Sequence, residues 1–150
     1  IAIGADHAGP EAKARLVQML EGAGHEVADL GTHGEASVDY PDFAEAVCRA
    51  VVSGSSERGI LVCGTGIGMS IAANKVAGIR AAKCNDPDEA RLCRAHNDAN
   101  VLCVGSRVLD ASALDAVVQA FVEGPFEGGR HARRVEKLMA LEGADSTEAR

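Results

Sequence analysis

The amino-acid sequence predicts a three-layer α/β/α domain around a five-stranded, mainly parallel sheet, on three observations. Short apolar runs alternate with longer segments whose apolar residues recur every three to four positions, the pattern of strands and amphipathic helices. The run Ile60-Leu61-Val62-Cys63 opens directly into Gly64-Thr65-Gly66-Ile67-Gly68, a glycine loop suited to joining a buried parallel strand to a helix. Residues capable of chemistry recur just after the apolar runs, where open α/β sheets bind their ligands. Together these describe a Rossmann-like domain.

Taken in order, residues 1–5 form a short apolar strand ending at Asp6-His7-Ala8-Gly9. A helix over residues 10–21 presents Ala14, Leu16, Val17 and Leu20 on one face, with Pro10 suited to its first turn and Gly22-Ala23-Gly24 stopping it. Residues 25–30 are a second strand, followed by a polar loop over 31–37. A helix over 42–53, begun by Pro41 or Asp42, turns Phe43, Ala44, Val47, Ala50 and Val51 inward. Residues 59–63 are the third strand, 69–76 a helix and 78–84 the fourth strand. Asn85-Asp86-Pro87 caps a helix that runs through Arg94 towards His96-Asn97-Asp98. Residues 100–105 are the fifth strand, with Ser106 and Arg107 at its end. Helices over 111–123 and 129–142 complete a single domain, 1–142, and 143–150 read as a flexible polar tail.

Composition removes several function classes. A chain of 150 residues with 47% hydrophobic and 25% charged residues is long enough to bury a core and ordinary for a soluble protein. An aromatic share of 3% and a net charge of -7 exclude a base-stacking, phosphate-neutralising surface, so no nucleic-acid partner is expected. No apolar run reaches the ~18–20 residues of a membrane span, and no signal peptide is visible. Five cysteines without a Cys-x-x-Cys spacing fit reduced thiols in the cytoplasm better than disulfides or a zinc site.

The chemistry centres on Cys63 and its loop. Three alternating glycines let backbone approach a ligand closely, and the unpaired N–H groups of a helix N-terminus favour an anion and the thiolate of Cys63. Other strand ends supply Asp6 and His7, the Thr32-His33 loop, Tyr40, Asn85, Asp86 and Arg107. Asp6-His7 serves equally well as the cap of the following helix, and a lone buried Cys is commonly just a small core residue. Arg130 and Arg134, four apart, share one helix side in a way that suits a phosphate. Familiar phosphate loops fail on spacing. A Cys-x5-Arg loop needs Arg where Met69 stands, a P-loop needs Gly-Lys-Ser/Thr, and G-x-G-x-x-G needs Gly at the same Met69.

The motifs Asp6-His7-Ala8-Gly9, Asp39-Tyr40-Pro41, Cys63 to Lys75, Gly78-Ile79-Arg80-Ala81, His96 to Val101, Gly105-Ser106-Arg107 and Glu127-Gly128-Gly129-Arg130-His131 resemble, in order, the type B ribose-5-phosphate isomerases. That family includes galactose- and allose-6-phosphate isomerases, and the resemblance spans residues 1 to about 142. It implies reversible aldose–ketose isomerisation of ribose 5-phosphate and ribulose 5-phosphate through an enediolate, with no metal or other cofactor. By similarity, Cys63 is the base, Thr65 assists proton movement and His96 opens the sugar ring. The N–H groups of Gly64, Gly66, Gly68 and Ser70 hold the developing oxyanion, and Asp6, Tyr40 and Asn97 bind hydroxyls. His7, Arg107, Arg130 and Arg134 form the phosphate set. A family branch that uses a loop glutamate as base would carry it where this chain has Met69, which places the chain in the cysteine branch. The resemblance also implies a homodimer or dimer of dimers with shared sites. Alternatives are the same chemistry on allose, galactose or erythrulose phosphate, a sugar-phosphate sensor without catalysis, and a thiol-redox role.

Overall fold

The computed structural model describes residues 1–146, with side chains through Gly143. The described strands are β1 (Ala2–Ala5), β2 (Ala28–Asp29), β3 (Gly59–Cys63), β4 (Ala81–Lys83) and β5 (Val101–Gly105). The helices are α1 (Pro10–Gly22), α2 (Tyr40–Val52), α3 (Ile67–Ala73), α4 (Pro87–Asn97), α5 (Ala111–Glu123) and α6 (Arg130–Ala140), followed by a 3-10 segment, Leu141–Ser146. The strands form one sheet in the order β2-β1-β3-β5-β4, and every pairing is parallel, so "mainly parallel" becomes wholly parallel.

Successive strand residues face opposite sides, and the two sides bury separate clusters. Ile60, Val62, Leu102 and Val104 pack with Leu16, Leu20, Leu114, Val117 and Phe121 from α1 and α5. Leu61, Cys63, Val101 and Cys103 pack with Val47, Cys48, Met69 and Ala73 from α2 and α3. The sheet order reverses between β1 and β3, and the crevice at their carboxyl ends is where such sheets bind ligands.

Several boundaries differ from the sequence expectation, each for a local reason. The edge strands are short: β2 keeps two residues of the expected 25–30, because the His25 N–H bonds back to Leu20 O and Gly31 turns the chain with φ 98°. β4 keeps three of 78–84; Gly78 has φ 88°, and the Arg80 N–H is taken by the Asn100 side chain at 2.8 Å. α2 begins at Tyr40, not residue 42, with Asp39 at the N-cap position. α3 begins at Ile67 because Gly66, left-handed at φ 80°, turns the strand directly into the helix. α4 runs on to Asn97, where left-handed Asp98 ends it. Residues 143–146 of the expected tail lie in the 3-10 segment, and 147–150 lie outside the described residues.

The β2 edge is anchored by an ion pair between Lys13, 2% exposed, and Asp29, which also accepts the Gly31 N–H at 3.0 Å. Burial pulls the Asp29 carboxyl up, but the Lys13 hydrogen bond, the Gly31 N–H and the Lys13 and His33 charges outweigh it and hold the group below its ordinary value. A depressed folded pKa adds stability above the unfolded carboxyl pKa, and that stability is lost as pH falls through the folded value. Asp29→Asn is therefore expected to cost roughly 1–3 kcal/mol at neutral pH, leaving the Lys13 ammonium under-satisfied. In urea titrations across pH, the variant and the parent should converge in acid.

Candidate active site

Cys63 ends β3 opposite Gly105 of β5, on the sheet face covered by α2 and α3, and is 5% exposed. The chain crosses Thr65, turns at left-handed Gly66 and enters α3, and this turn aims the Gly66 N–H at Cys63 Sγ, 3.0 Å away. Donation from a backbone N–H favours negative charge on sulfur. The Ile67 N–H donates to Thr65 Oγ1 at 3.2 Å, which leaves the Thr65 hydroxyl hydrogen available to a ligand. The Ser70 N–H makes the first helical bond, to Gly66 O at 3.1 Å, and its hydroxyl donates to Ile67 O at 2.7 Å. The expected oxyanion donors are thereby revised: Gly66 serves the sulfur and Ser70 the helix, while Gly68 and Met69, in the first turn, have no intrahelical acceptor.

The walls of the crevice come from four other segments. Arg107 follows β5 and lies over Gly64, its Cδ 3.4 Å from where a side chain on Gly64 would begin. The Tyr40 ring lies against Gly68, within 2.9 Å of the corresponding point. Asp6, 8% exposed, accepts the Ala8 N–H at 2.9 Å and so shapes the loop after β1. It does not cap α1, whose N-cap position is Gly9. His7 Nδ1 accepts the Val38 N–H at 3.3 Å, tying the polar loop to the same edge.

Asp6, His7, Tyr40, Cys63, Gly64, Thr65, Gly66, Gly68, Ser70 and Arg107 thus surround one edge. His96, Asn97, Arg130 and Arg134 do not. α4 runs back across the sheet, and its end precedes β5, where the Asn100 carbonyl accepts the Gly59 N–H at the start of β3. These four residues therefore stand at the amino edge, separated from the Cys63 edge by the length of β5, about 13 Å from Val101 to Gly105. Within one chain the expected phosphate set is therefore divided: Arg107 lies at one edge, and Arg130 and Arg134, both exposed on α6, at the other. His96, Asn97, His131, Arg134, Val135 and Leu138 line a cleft of about 370 Å³.

With this geometry in place, likeness to known proteins decides the family. A Ribose/Galactose Isomerase profile matches residues 1–138. The chain belongs to that family. Ribose-5-phosphate isomerase B of Escherichia coli is 49% identical over 142 residues, 95% of each chain. D-erythrulose-4-phosphate isomerase of Pectobacterium atrosepticum is 43% identical over 140 residues, 92% of this chain and 91% of that one. The structure of Clostridium thermocellum ribose-5-phosphate isomerase B superposes with a TM-score of 0.95 at 50% identity, covering 97% of this chain and 98% of that one. The Trypanosoma brucei type B structure gives 0.90 at 48% identity, covering 93% and 96%. The family and fold class expected from the sequence are borne out, and the protein is an isomerase. Among the described residues, no helix of this isomerase is long and apolar enough to cross a membrane.

Three site-forming residues were given no site role from the sequence, although Gly105 and Ser106 lie in a quoted motif. The Ser106 hydroxyl lies 2.8 Å from Ala8 O and 3.2 Å from Cys63 O, and so joins the loop after β1 to the end of β3. Lys83, ending β4, packs its stem 3.2 Å from the point where a Gly66 side chain would begin. Gly105 meets the loop most closely: a Cβ there would fall 2.6–2.8 Å from Thr65 backbone atoms. Gly105→Ala is expected to lift Thr65 and the Gly66 turn, lowering kcat/KM by about 100-fold while far-UV circular dichroism stays unchanged. Turnover close to wild type would mean that the loop tolerates displacement.

Proposed function

We propose that this isomerase interconverts ribose 5-phosphate and ribulose 5-phosphate through an enediolate, with Cys63 as the proton-transfer base. The observation that carries the reading is the Cys63 thiol at the switch point of the sheet, with a backbone N–H on its sulfur and a helix start beside it. Relatives bearing that activity in their names match nearly the whole chain. After ring opening, the Cys63 thiolate takes the proton from C2 of the aldose, and the charge passes to the carbonyl oxygen. The first-turn N–H groups of Gly68 and Met69 stabilise that oxygen. Thr65 moves the hydroxyl proton between O1 and O2, and the Cys63 thiol returns its proton to C1. Asp6 and Tyr40 orient the sugar hydroxyls, and His7 and Arg107 meet the phosphate. A transferring base, not a covalent nucleophile, is what this chemistry asks of the sulfur.

His96 as the ring-opening group, Asn97 on a hydroxyl, and Arg130 and Arg134 on the phosphate can join this site only from another copy of the chain. The amino edge of one subunit then meets the Cys63 edge of its partner in a homodimer or dimer of dimers. Ile67 and Ile71, one turn apart on α3 and 53% and 58% exposed, give the loop an apolar flank for such a neighbour to cover.

The 43% identity to a D-erythrulose-4-phosphate isomerase favours one second reading, the same mechanism on a sugar phosphate of another length. One methylene in a pocket is worth only about 1–3 kcal/mol, so some activity across lengths is expected.

In a coupled assay on ribose 5-phosphate and other aldose phosphates, Cys63→Ala is expected to lower kcat by at least about 100-fold with the fold intact. Unchanged turnover would remove the thiol from the mechanism. Mixing Cys63→Ala chains with Arg130→Ala chains should restore activity above either parent, since one of the two sites in a mixed dimer is then complete. Absence of recovery in isolated mixed dimers would refute the shared site.

A further inference from the structure

The motif Glu127-Gly128-Gly129-Arg130-His131 supplies an arginine to the proposed phosphate set, but its Glu127 and His131 have no part in that reading. Both face His96. The His96 and His131 rings stack with centroids 4.2 Å apart and planes 10° from parallel. Glu127 Oε2 lies 3.6 Å from His131 Nε2 and 4.0 Å from His96 Nε2, so one carboxylate oxygen faces both rings within range of its charge, just beyond hydrogen-bond distance. His131 is 6% exposed, whereas the His96 side chain is 39% exposed and open to the cleft.

The backbone builds this cluster. The Glu127 N–H donates to Ala95 O at 3.1 Å, next to His96 in the chain. Beneath it, buried Arg94 donates to Gly124 O at 3.1 Å, to Ala99 O at 2.6 Å and to Asp98 at 2.8 Å, pinning the segment before Glu127 to the end of α4. Gly128 and Gly129, at φ 66° and 55°, then turn the chain so that His131 comes back over His96 within the first turn of α6.

Two imidazoles in face-to-face contact do not both carry charge at low cost. Burial, His96 and the nearby Arg130 and Arg134 guanidinium groups push His131 down against the opposing pull of Glu127, which favours its neutral form. The negative charge of a carboxylate 4.0 Å from Nε2 of His96 favours a hydrogen on that nitrogen, and a small approach of Glu127 turns the contact into a hydrogen bond. The cluster also offers three possible ligand atoms within 4.8 Å of one another. Lone pairs of near-parallel rings run side by side, however, and a shared ion at about 2.0–2.1 Å needs them to converge.

We propose that Glu127 is a positioning residue which, with His131 as its stacking support, holds His96 as the Nε2–H tautomer and leaves Nδ1 to open the ring of a furanose sugar phosphate. The proposal rests on the reading of His96 as the ring-opening group. In the step, Nδ1 takes the proton from the anomeric O1–H, the C1–O1 bond becomes a carbonyl and the C1–O4 bond breaks. O4 then takes the proton back from Nδ1, so nothing else is consumed. All three side chains belong to one subunit, and the unit reaches the substrate preassembled.

Ring opening can be read apart from isomerisation in the full-length Cys63→Ala protein. The readout is the exchange rate between the α and β anomers of ribose 5-phosphate labelled with carbon-13 at C1, followed by NMR magnetisation transfer. Cys63→Ala is expected to accelerate this exchange. Adding Glu127→Gln should cut the acceleration about tenfold, while inorganic phosphate still raises Tm as before. Adding His96→Asn should abolish it. If His96→Asn abolishes the exchange and Glu127→Gln leaves it intact, the positioning role is overturned and the ring-opening reading stands. If His96→Asn also leaves it intact, the ring-opening reading itself fails. If Glu127→Gln loses phosphate stabilisation along with exchange, its role is structural. If a chelator abolishes the exchange and zinc restores it, the cluster is a metal site and the proposal is overturned.

Discussion

The Gly66 N–H reaches Cys63 Sγ because the chain is left-handed there, at φ 80°, and that turn depends on two close approaches that only missing side chains allow. A side chain on Gly66 would begin 3.0 Å from the Val104 carbonyl carbon and 3.3 Å from the Gly105 N. Gly105 in turn yields its own side-chain space to the Thr65 backbone. The loop is pressed onto the end of β5 by glycine on both sides of the contact, and Tyr40 closes over Gly68 from above. Donors held this way are in place before any charge develops on a ligand, which is the condition under which they lower a barrier.

The same turn separates Cys63 from the other thiols. All five cysteines are free and buried, so burial does not distinguish one from another. Burial pushes the Cys48 thiol up to about 11, and it also raises Cys103 well above its ordinary value. The hydrogen bond to Cys93, together with burial, holds Cys84 in its protonated form. Only Cys63, among these, sits where a strand ends and a backbone N–H turns back onto its sulfur. Position at the carboxyl edge, more than residue type, makes it the candidate base.

Much of the carboxyl edge was legible in the sequence, because most of its residues sit at or just after the end of an apolar run and parallel strands bring their ends level. Asp6, Cys63 and Arg107 are cases of this rule. His96 was legible as a residue and not as a place. Its motif lies between a helix and a strand, and only the direction of α4 across the sheet shows that this junction belongs to the opposite edge. The edge strands were overestimated because apolar residues at 25–30 and 78–84 continue past the few positions that find a ladder partner. Glu127 and His131 carry the i,i+4 spacing of a helical pair, but α6 starts at Arg130, and two left-handed glycines, not helix geometry, bring them together. No periodicity reports that.

A strand layer between the two halves of the proposed machinery has a consequence for the isomerase as an assembly. Ring opening and C2 deprotonation must act on one sugar without letting it go, yet His96 and Cys63 of a single chain lie on opposite sides of about 13 Å of sheet. A rearrangement that closed that gap would have to break both anchors: the end of α4 is held through Arg94 and Arg80, and the Cys63 loop packs on Gly105. In the shared-site reading the substrate itself bridges two chains, its carbonyl end over one glycine loop and its phosphate against arginines of both. Binding then stabilises the assembled form in preference to separated chains, by mass action. Sugar phosphate is in that case a ligand of the interface as much as of either subunit, and catalytic competence and association become one equilibrium.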